Sequence, residues 1–160
     1  MAAGAVAIWR ISKETPEFAA DDLSGGGAKV VGGRWNRKGT AAVYASMSIA
    51  LATLETRAHL GGNIAIRNAF LVRIDVPEAL WARRSTVSLN SLPRAWLAEP
   101  PGVASIDFGE AWLHACAHLL LLVPSILVPE EFNVVINPAH PDAGQLRADV
   151  ARHNIYDPRL

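Results

Sequence analysis

The chain has 160 residues, long enough to bury a core and short enough to expect one domain over residues 1–160. Its 15 basic and 15 acidic residues cancel, which argues against a broad phosphate-neutralising surface and so against direct nucleic-acid binding. A single cysteine, Cys116, rules out an intrachain disulfide and a thiolate metal cluster.

In chain order, "AIWRI" (7–11) reads as a short strand, and "PEFAADDLSGGGAKVVGG" as a loop whose three glycines suit a flexible flap. "GRWN" (33–36) and "AVYA" (42–45) are expected to pair as a hairpin around the turn at Lys38 and Gly39. Ser46 or Ser48 is placed to cap a helix running to about Leu60, which Gly61 and Gly62 then stop. "AFLVRIDVP" alternates as a strand that Pro77 ends. Residues 78–102 have no clean period and contain Pro93, Pro100 and Pro101, so they read as an irregular excursion.

"IDFGEAWLHACAHLL" predicts a helix with Asp107 as its cap, and "LVPSILVP" and "EFNVVINP" predict two strands. "HPDAGQLRADVA" predicts a short helix and "HNIYDPR" a last strand or tail. The apolar segment 111–129 is long enough to raise a membrane span, but two histidines and two prolines interrupt it, so a buried helix leading into a buried strand is expected. The start, "MAAGAVAIWRISK", is not a secretory signal in pattern, and a cytoplasmic location is expected. The element order lacks regular βαβ alternation and points to an α+β fold. With 51% hydrophobic and 19% charged residues, some surface is expected to be covered by a partner or a second copy.

Four side chains are out of place in such a framework. Arg34 follows two glycines that let a ligand approach the backbone closely; it is either a surface arginine or a planar fork for phosphate or carboxylate. Tyr44 is either a half-buried core residue or a ring and hydroxyl for a ligand. Glu55 sits on an α-helical stripe with Leu51, Ala52 and Ala58. A carboxylate there either points outward or lies at the floor of a cleft with something to bind. Ser125 lies in an apolar strand, where it bonds either the backbone or a ligand.

His114 and His118 have metal-ligand spacing on a helix, but Ala115 stands where a zincin motif needs glutamate, so they are expected to be core residues and no metal is expected. "SGGGAKV" lacks the spacing of a P-loop, and no G-x-S-x-G elbow is present.

Taken as an ordered set, "WR" (9–10), "GGRWN" (32–36), "VYAS" (43–46), "ALATLE" (50–55) and "VPSILVPEEFNVVINPAHPD" (123–142) resemble the RES domain, a family named after its arginine, glutamate and serine. The resemblance implies a fold similar to ADP-ribosyltransferases, with mixed or antiparallel sheets and a few helices around a central cleft. It implies a bacterial toxin that consumes NAD+, and an Xre-type helix-turn-helix antitoxin covering the active site. The family's functional positions fall on Arg34, Tyr44, Glu55 and Ser125, with Arg10 a further candidate for binding NAD+.

Cleaving the nicotinamide–ribose bond passes through a sugar cation, and the leaving group needs no acid. Arg34, with Arg10, suits the pyrophosphate, Tyr44 the nicotinamide ring, and Glu55 the developing positive charge. Ser125 suits the nicotinamide amide or the ribose. The acceptor of ADP-ribose is then water, phosphate or a protein side chain. The rival expectation is a non-catalytic protein that binds a nucleotide or only its partner through the same cleft.

Overall fold

The structure, a computed structural model, describes residues 4–60, 68–92 and 94–160. Its frame is one mixed sheet of seven strands: β1 (Ala5–Lys13), β2 (Val43–Ser46), β3 (Ala69–Pro77), β4 (Ser85–Thr86), β5 (Leu120–Pro124), β6 (Phe132–Ile136) and β7 (Arg147–His153). Their order across the sheet is β4-β5-β6-β2-β1-β3-β7. Only β4 and β5 run parallel; every other neighbouring pair is antiparallel. Four helices accompany it among the described residues: α1 (Gly26–Val31), α2 (Ile49–Leu60), α3 (Glu78–Ala82) and α4 (Val103–Ala115). None is long and apolar enough to cross a membrane.

The register assigns each side chain to a face, because directly opposed residues share one. Tyr44 opposes Val135, Ser46 opposes Asn133, and Leu121 and Val123 continue that face on β5. This face packs Val135, Leu121 and Val123 against Trp35, Val87, Leu92, Trp96 and Leu113. The opposite face gathers Ile8, Val43, Ala45, Val72, Ile74, Leu120, Leu122, Val134 and Ile136. The run "LLLVP" thus has no alternation because β5 is buried on both sides. Each fully buried aliphatic side chain contributes about 1.5–3 kcal/mol of transfer free energy.

Strands β1, β2 and β6 stand where strands were expected, and so do two finer readings. The strand at 69–77 ends at Pro77, and of the two serines before α2 it is Ser48 that caps, its Oγ accepting the Leu51 N–H at 3.1 Å. The stop expected at Gly61 and Gly62 lies outside the described residues. Residues 78–102 hold α3, β4 and two single 3₁₀ turns, Leu89–Ser91 and Arg94–Leu97.

Several expectations are corrected. The glycine-rich loop contains helix α1, because tertiary contacts hold its end: Gly39 N–H donates to Lys29 O at 2.8 Å and Asn36 Nδ2 to Ala28 O at 2.9 Å. "GRWN" is a tight turn closed by a single Gly33–Asn36 bridge, not a strand paired with β2; β2 pairs with β6 and β1 instead. Asp107 lies inside α4, which begins at Val103, and its carboxylate pairs with Arg37. α4 ends at Ala115 with Cys116 left-handed at φ 53. His118 is therefore off the helix, and both His114 and His118 are exposed rather than core. The helix expected over 140–151 is a 3₁₀ turn, Ala143–Gln145, followed by edge strand β7; its polar, exposed pattern looks helical in isolation, but β3 offers it a ladder.

Candidate active site

The turn that carries Arg34 is built around Asn36, which is 1% exposed. Its Nδ2 donates to Ala28 O, Arg37 O and Thr40 O at 2.9–3.2 Å, and its Oδ1 accepts the Tyr44 hydroxyl at 2.6 Å. The Tyr44 oxygen in turn accepts the Trp35 N–H at 3.1 Å. Gly33 is needed for this closeness: a Cβ there would meet the Tyr44 oxygen at 2.8 Å and Asn36 Oδ1 at 2.9 Å. One amide thus pins the loop, the turn and β2 together and fixes where Arg34 leaves the backbone.

Arg34 points at the 94–99 segment. Its Nη1 donates to Trp96 O at 3.0 Å and Ala98 O at 2.8 Å, and its Nη2 to the Glu99 carboxylate at 2.6 Å. The Arg34 side chain is 14% exposed, that of Glu99 68%. Two carbonyls therefore hold the guanidinium firmly, and a displaceable surface carboxylate holds its third contact.

Tyr44 is half-buried, with its hydroxyl fully engaged, so what it offers outward is ring surface. Burial raises its phenol well above the ordinary value; the Trp35 N–H opposes that, Glu110 adds to it and Arg34 opposes it. The phenol is thus within electrostatic reach of both the guanidinium and a second carboxylate. Glu110 accepts a hydrogen bond from Thr40 Oγ1 at 2.8 Å, and its other oxygen is buried without a partner among the described residues.

Glu55 turns inward. Its Oε1 accepts Ser125 Oγ at 2.5 Å and Asn133 Nδ2 at 2.7 Å. Asn133 opposes Ser46, and Ser46 is two residues from Tyr44 on the same strand and face, about 7 Å along it. The carboxylate from α2 and the phenol from β2 therefore stand over one sheet face. Ser125 lies one residue past the end of β5, wholly buried. Its hydroxyl accepts the N–H groups of Leu127 and Val128 and donates to Glu55.

Arg10 is placed differently. Trp9 shares the Ser46 face, so Arg10 starts on the other, beside Ile8 and Val72. Its Nη1 donates to the Tyr44 carbonyl at 3.2 Å, and burial lowers its basicity, opposed by Asp22. The structure brings Arg34, Tyr44, Glu55 and Ser125 to one side of the sheet and leaves Arg10 on the far side.

Sequence reasoning gave no site role to Asn36, Ser46, Glu99, Glu110 or Asn133, and offered Ser46 only as a helix cap. Asn36 stands inside "GRWN", but its hub role needs the turn geometry. Asn133 gains meaning only from its register with Ser46. Glu99 falls in a segment without periodicity.

Residues 7–157 match the RES domain family model. The chain belongs to the RES domain family. This RES protein is 49% identical over 153 residues to a protein of Sphingobium sp. (strain YBL2) named Prs ADP-ribosylating toxin, covering 96% of this chain and 95% of that one. It is 37% identical over 135 residues to a protein of Photorhabdus laumondii named Toxin Res, covering 84% and 83%. The fold is shared with a chain of the M. tuberculosis MbcT–MbcA toxin–antitoxin complex, at a TM-score of 0.68, 18% identity, and coverage of 92% of this chain and 85% of that one. This RES protein is thus a homologue of an ADP-ribosylating toxin, with an α+β fold seen in a toxin–antitoxin pair.

Proposed function

We propose that this protein is the toxin of a toxin–antitoxin pair, and that it cleaves the nicotinamide–ribose bond of NAD+ and transfers the ADP-ribose to an acceptor. The observation that carries this reading is Glu55: a helix carboxylate turned onto the sheet face that holds Tyr44, bound through one oxygen and without a hydrogen bond at the other among the described residues. A carboxylate fixed before reaction by two hydrogen bonds stabilises a forming sugar cation without reorganising.

The remaining parts fit around it. The Tyr44 ring, held by its hydroxyl, stacks the nicotinamide. Arg34 faces the pyrophosphate with its unused donors and with those it recovers when Glu99 lets go. Ser125 acts through Glu55, because its buried hydroxyl has no capacity left for a ligand. Arg10 supports the β2 backbone at Tyr44 from behind the site. Bond cleavage leaves the electron pair on nicotinamide nitrogen, and the acceptor's oxygen or nitrogen attacks the anomeric carbon while shedding a proton.

The name of the Sphingobium relative, Prs ADP-ribosylating toxin, favours a protein acceptor, Prs, over water or phosphate. The fold neighbour's complex supports an antitoxin as the partner of this chain; the Xre type and a seat over the site are what the family resemblance adds to the proposal. Purified protein incubated with NAD+, with and without Prs, tests both levels. Nicotinamide release and an ADP-ribose mass increment on Prs are expected. Glu55→Gln, which keeps shape and removes charge, loses roughly 100-fold or more of the release rate. An unchanged rate in Glu55→Gln refutes the assignment of Glu55.

A further inference from the structure

We infer that Asn133, braced by Ser46, is a positioning residue that fixes which oxygen of Glu55 faces the substrate; the inference rests on the NAD+-cleaving reading of the same site. Asparagine is a poor strand residue, and its amide is costly to bury unpaired. A strand that needed only to pack beside Val135 would carry valine or threonine at this place. Asn133 instead has both ends matched. Its Oδ1 accepts Ser46 Oγ at 2.6 Å, and its Nδ2 donates to Glu55 Oε1 at 2.7 Å.

The direction of each bond follows from the donor inventory. The Ser125 oxygen takes two backbone N–H groups at 3.1 Å, so its own proton goes to Glu55. The Ser46 proton goes to Asn133 Oδ1, which turns the NH2 group toward Glu55. Two donors, one just past the end of β5 and one on β6, thus converge on one oxygen, Oε1. Oε2 takes no hydrogen bond among the described residues. The carboxylate is held with a fixed plane and one outward lone-pair set, which is what a ribose hydroxyl or an oxocarbenium-like carbon requires. Ser46 and Asn133 oppose each other in the β2–β6 ladder, so the brace is as rigid as the sheet.

The test is steady-state nicotinamide release by Asn133→Asp and Ser46→Ala, with melting temperatures in parallel and Asn133→Leu as a second variant should Asn133→Asp fold poorly. The expected result for the Asn133 variants is a kcat loss of about tenfold to a hundredfold, the range of a hydrogen bond to a charged group, with KM for NAD+ within about threefold. Ser46→Ala shows the same split with a smaller loss. Retained kcat, a loss confined to KM, or a loss matching the unfolded fraction overturns the inference.

A second readout needs no turnover. In protein labelled at glutamate carboxyl carbons, the resonance absent from Glu55→Gln is that of Glu55. It is expected to move in Asn133→Leu and to stay put in Gln145→Ala, a variant of an exposed turn residue. If the wild type releases no nicotinamide, the NAD+ reading fails while this resonance still judges the brace; a resonance unmoved by Asn133→Leu overturns it.

Discussion

Gly109 on α4 is the point where the helix touches the turn carrying Arg34, and Gly109→Ala is the substitution whose cost is best defined. An added Cβ would lie 2.6 Å from the Trp35 carbonyl carbon and 2.8 Å from its Cα, and closer still to the carbonyl oxygen. All three are backbone atoms, so no side-chain rotation relieves the clash. α4 would have to back away from Trp35, loosening Trp35–Phe108 and Trp35–Trp96 ring contacts at centroid distances of 6.1 and 6.4 Å. Overpacking of this kind costs about 1–3 kcal/mol where side chains can yield; against backbone, the upper end, about 3 kcal/mol, is expected. For a chain of this size that lowers the melting temperature by about 6–12 °C. Because the turn also positions Arg34, the surviving folded protein should show a raised KM for NAD+. Gly27→Ala is the matched comparison: nothing lies within 4 Å of its Cβ position, and it sits in α1, where alanine is favoured. Thermal melts followed by circular dichroism decide it. A Gly109→Ala melt within about 2 °C of the wild type would show that α4 and the turn are not in register as described.

Two further outcomes follow from the site. Tyr44→Phe leaves Asn36 Oδ1 and the Trp35 N–H without their partner and should cost about 1–3 kcal/mol at neutral pH. The Tyr44 phenol keeps its proton in the folded chain to higher pH than in the unfolded chain, so the unfolded state sheds protons first above about pH 10. Stability then falls with rising pH, by about 1.4 kcal/mol per unit from this one group. Tyr44→Phe should flatten the loss measured by denaturant melts between pH 9 and 11, leaving the smaller share of Tyr156, whose phenol burial also raises; an unchanged slope refutes the assignment. Glu99→Gln frees Arg34 of an exposed competitor worth at most about 1 kcal/mol. KM for NAD+ should drop about two- to fivefold at low salt, with the gain shrinking as salt screens the pair. A raised KM would mean that Glu99 presents the guanidinium rather than competing for it.

How much of this was legible beforehand depended on whether the deciding contact was local. The strand at 69–77 was readable from neighbouring residues, and so was a serine cap for α2, narrowed to Ser46 or Ser48 before the structure selects Ser48. α1 was not, because glycine and valine argue against a helix and what holds it is Asn36 reaching back to Ala28. β7 was not, because its seven residues are mostly exposed and polar, and only the free edge of β3 makes them a strand. His114 and His118 were misjudged for a related reason: Cys116 takes a left-handed conformation that ends the helix between them, and no residue type announces that.

The site shows the same division more sharply. That Glu55 was anomalous could be read from its stripe of alanine and leucine, but the resolution of the anomaly could not. The carboxylate turns inward, and one of its oxygens is held by Ser125, just past the end of β5, and by Asn133 on β6, 70 and 78 residues away in the chain. The same geometry separates two arginines that sequence placed together. Arg34 and Arg10 both flank Tyr44, one through the Trp35 turn and one through the Tyr44 carbonyl, yet they belong to opposite faces of the sheet. A residue's face depends on register parity, and one extra residue in β1 would exchange Trp9 and Arg10. Assigning ligand contacts from an ordered motif set therefore stops at the strand, and the pairing of Trp9 with Ser46 decides which of its two neighbours can reach the substrate.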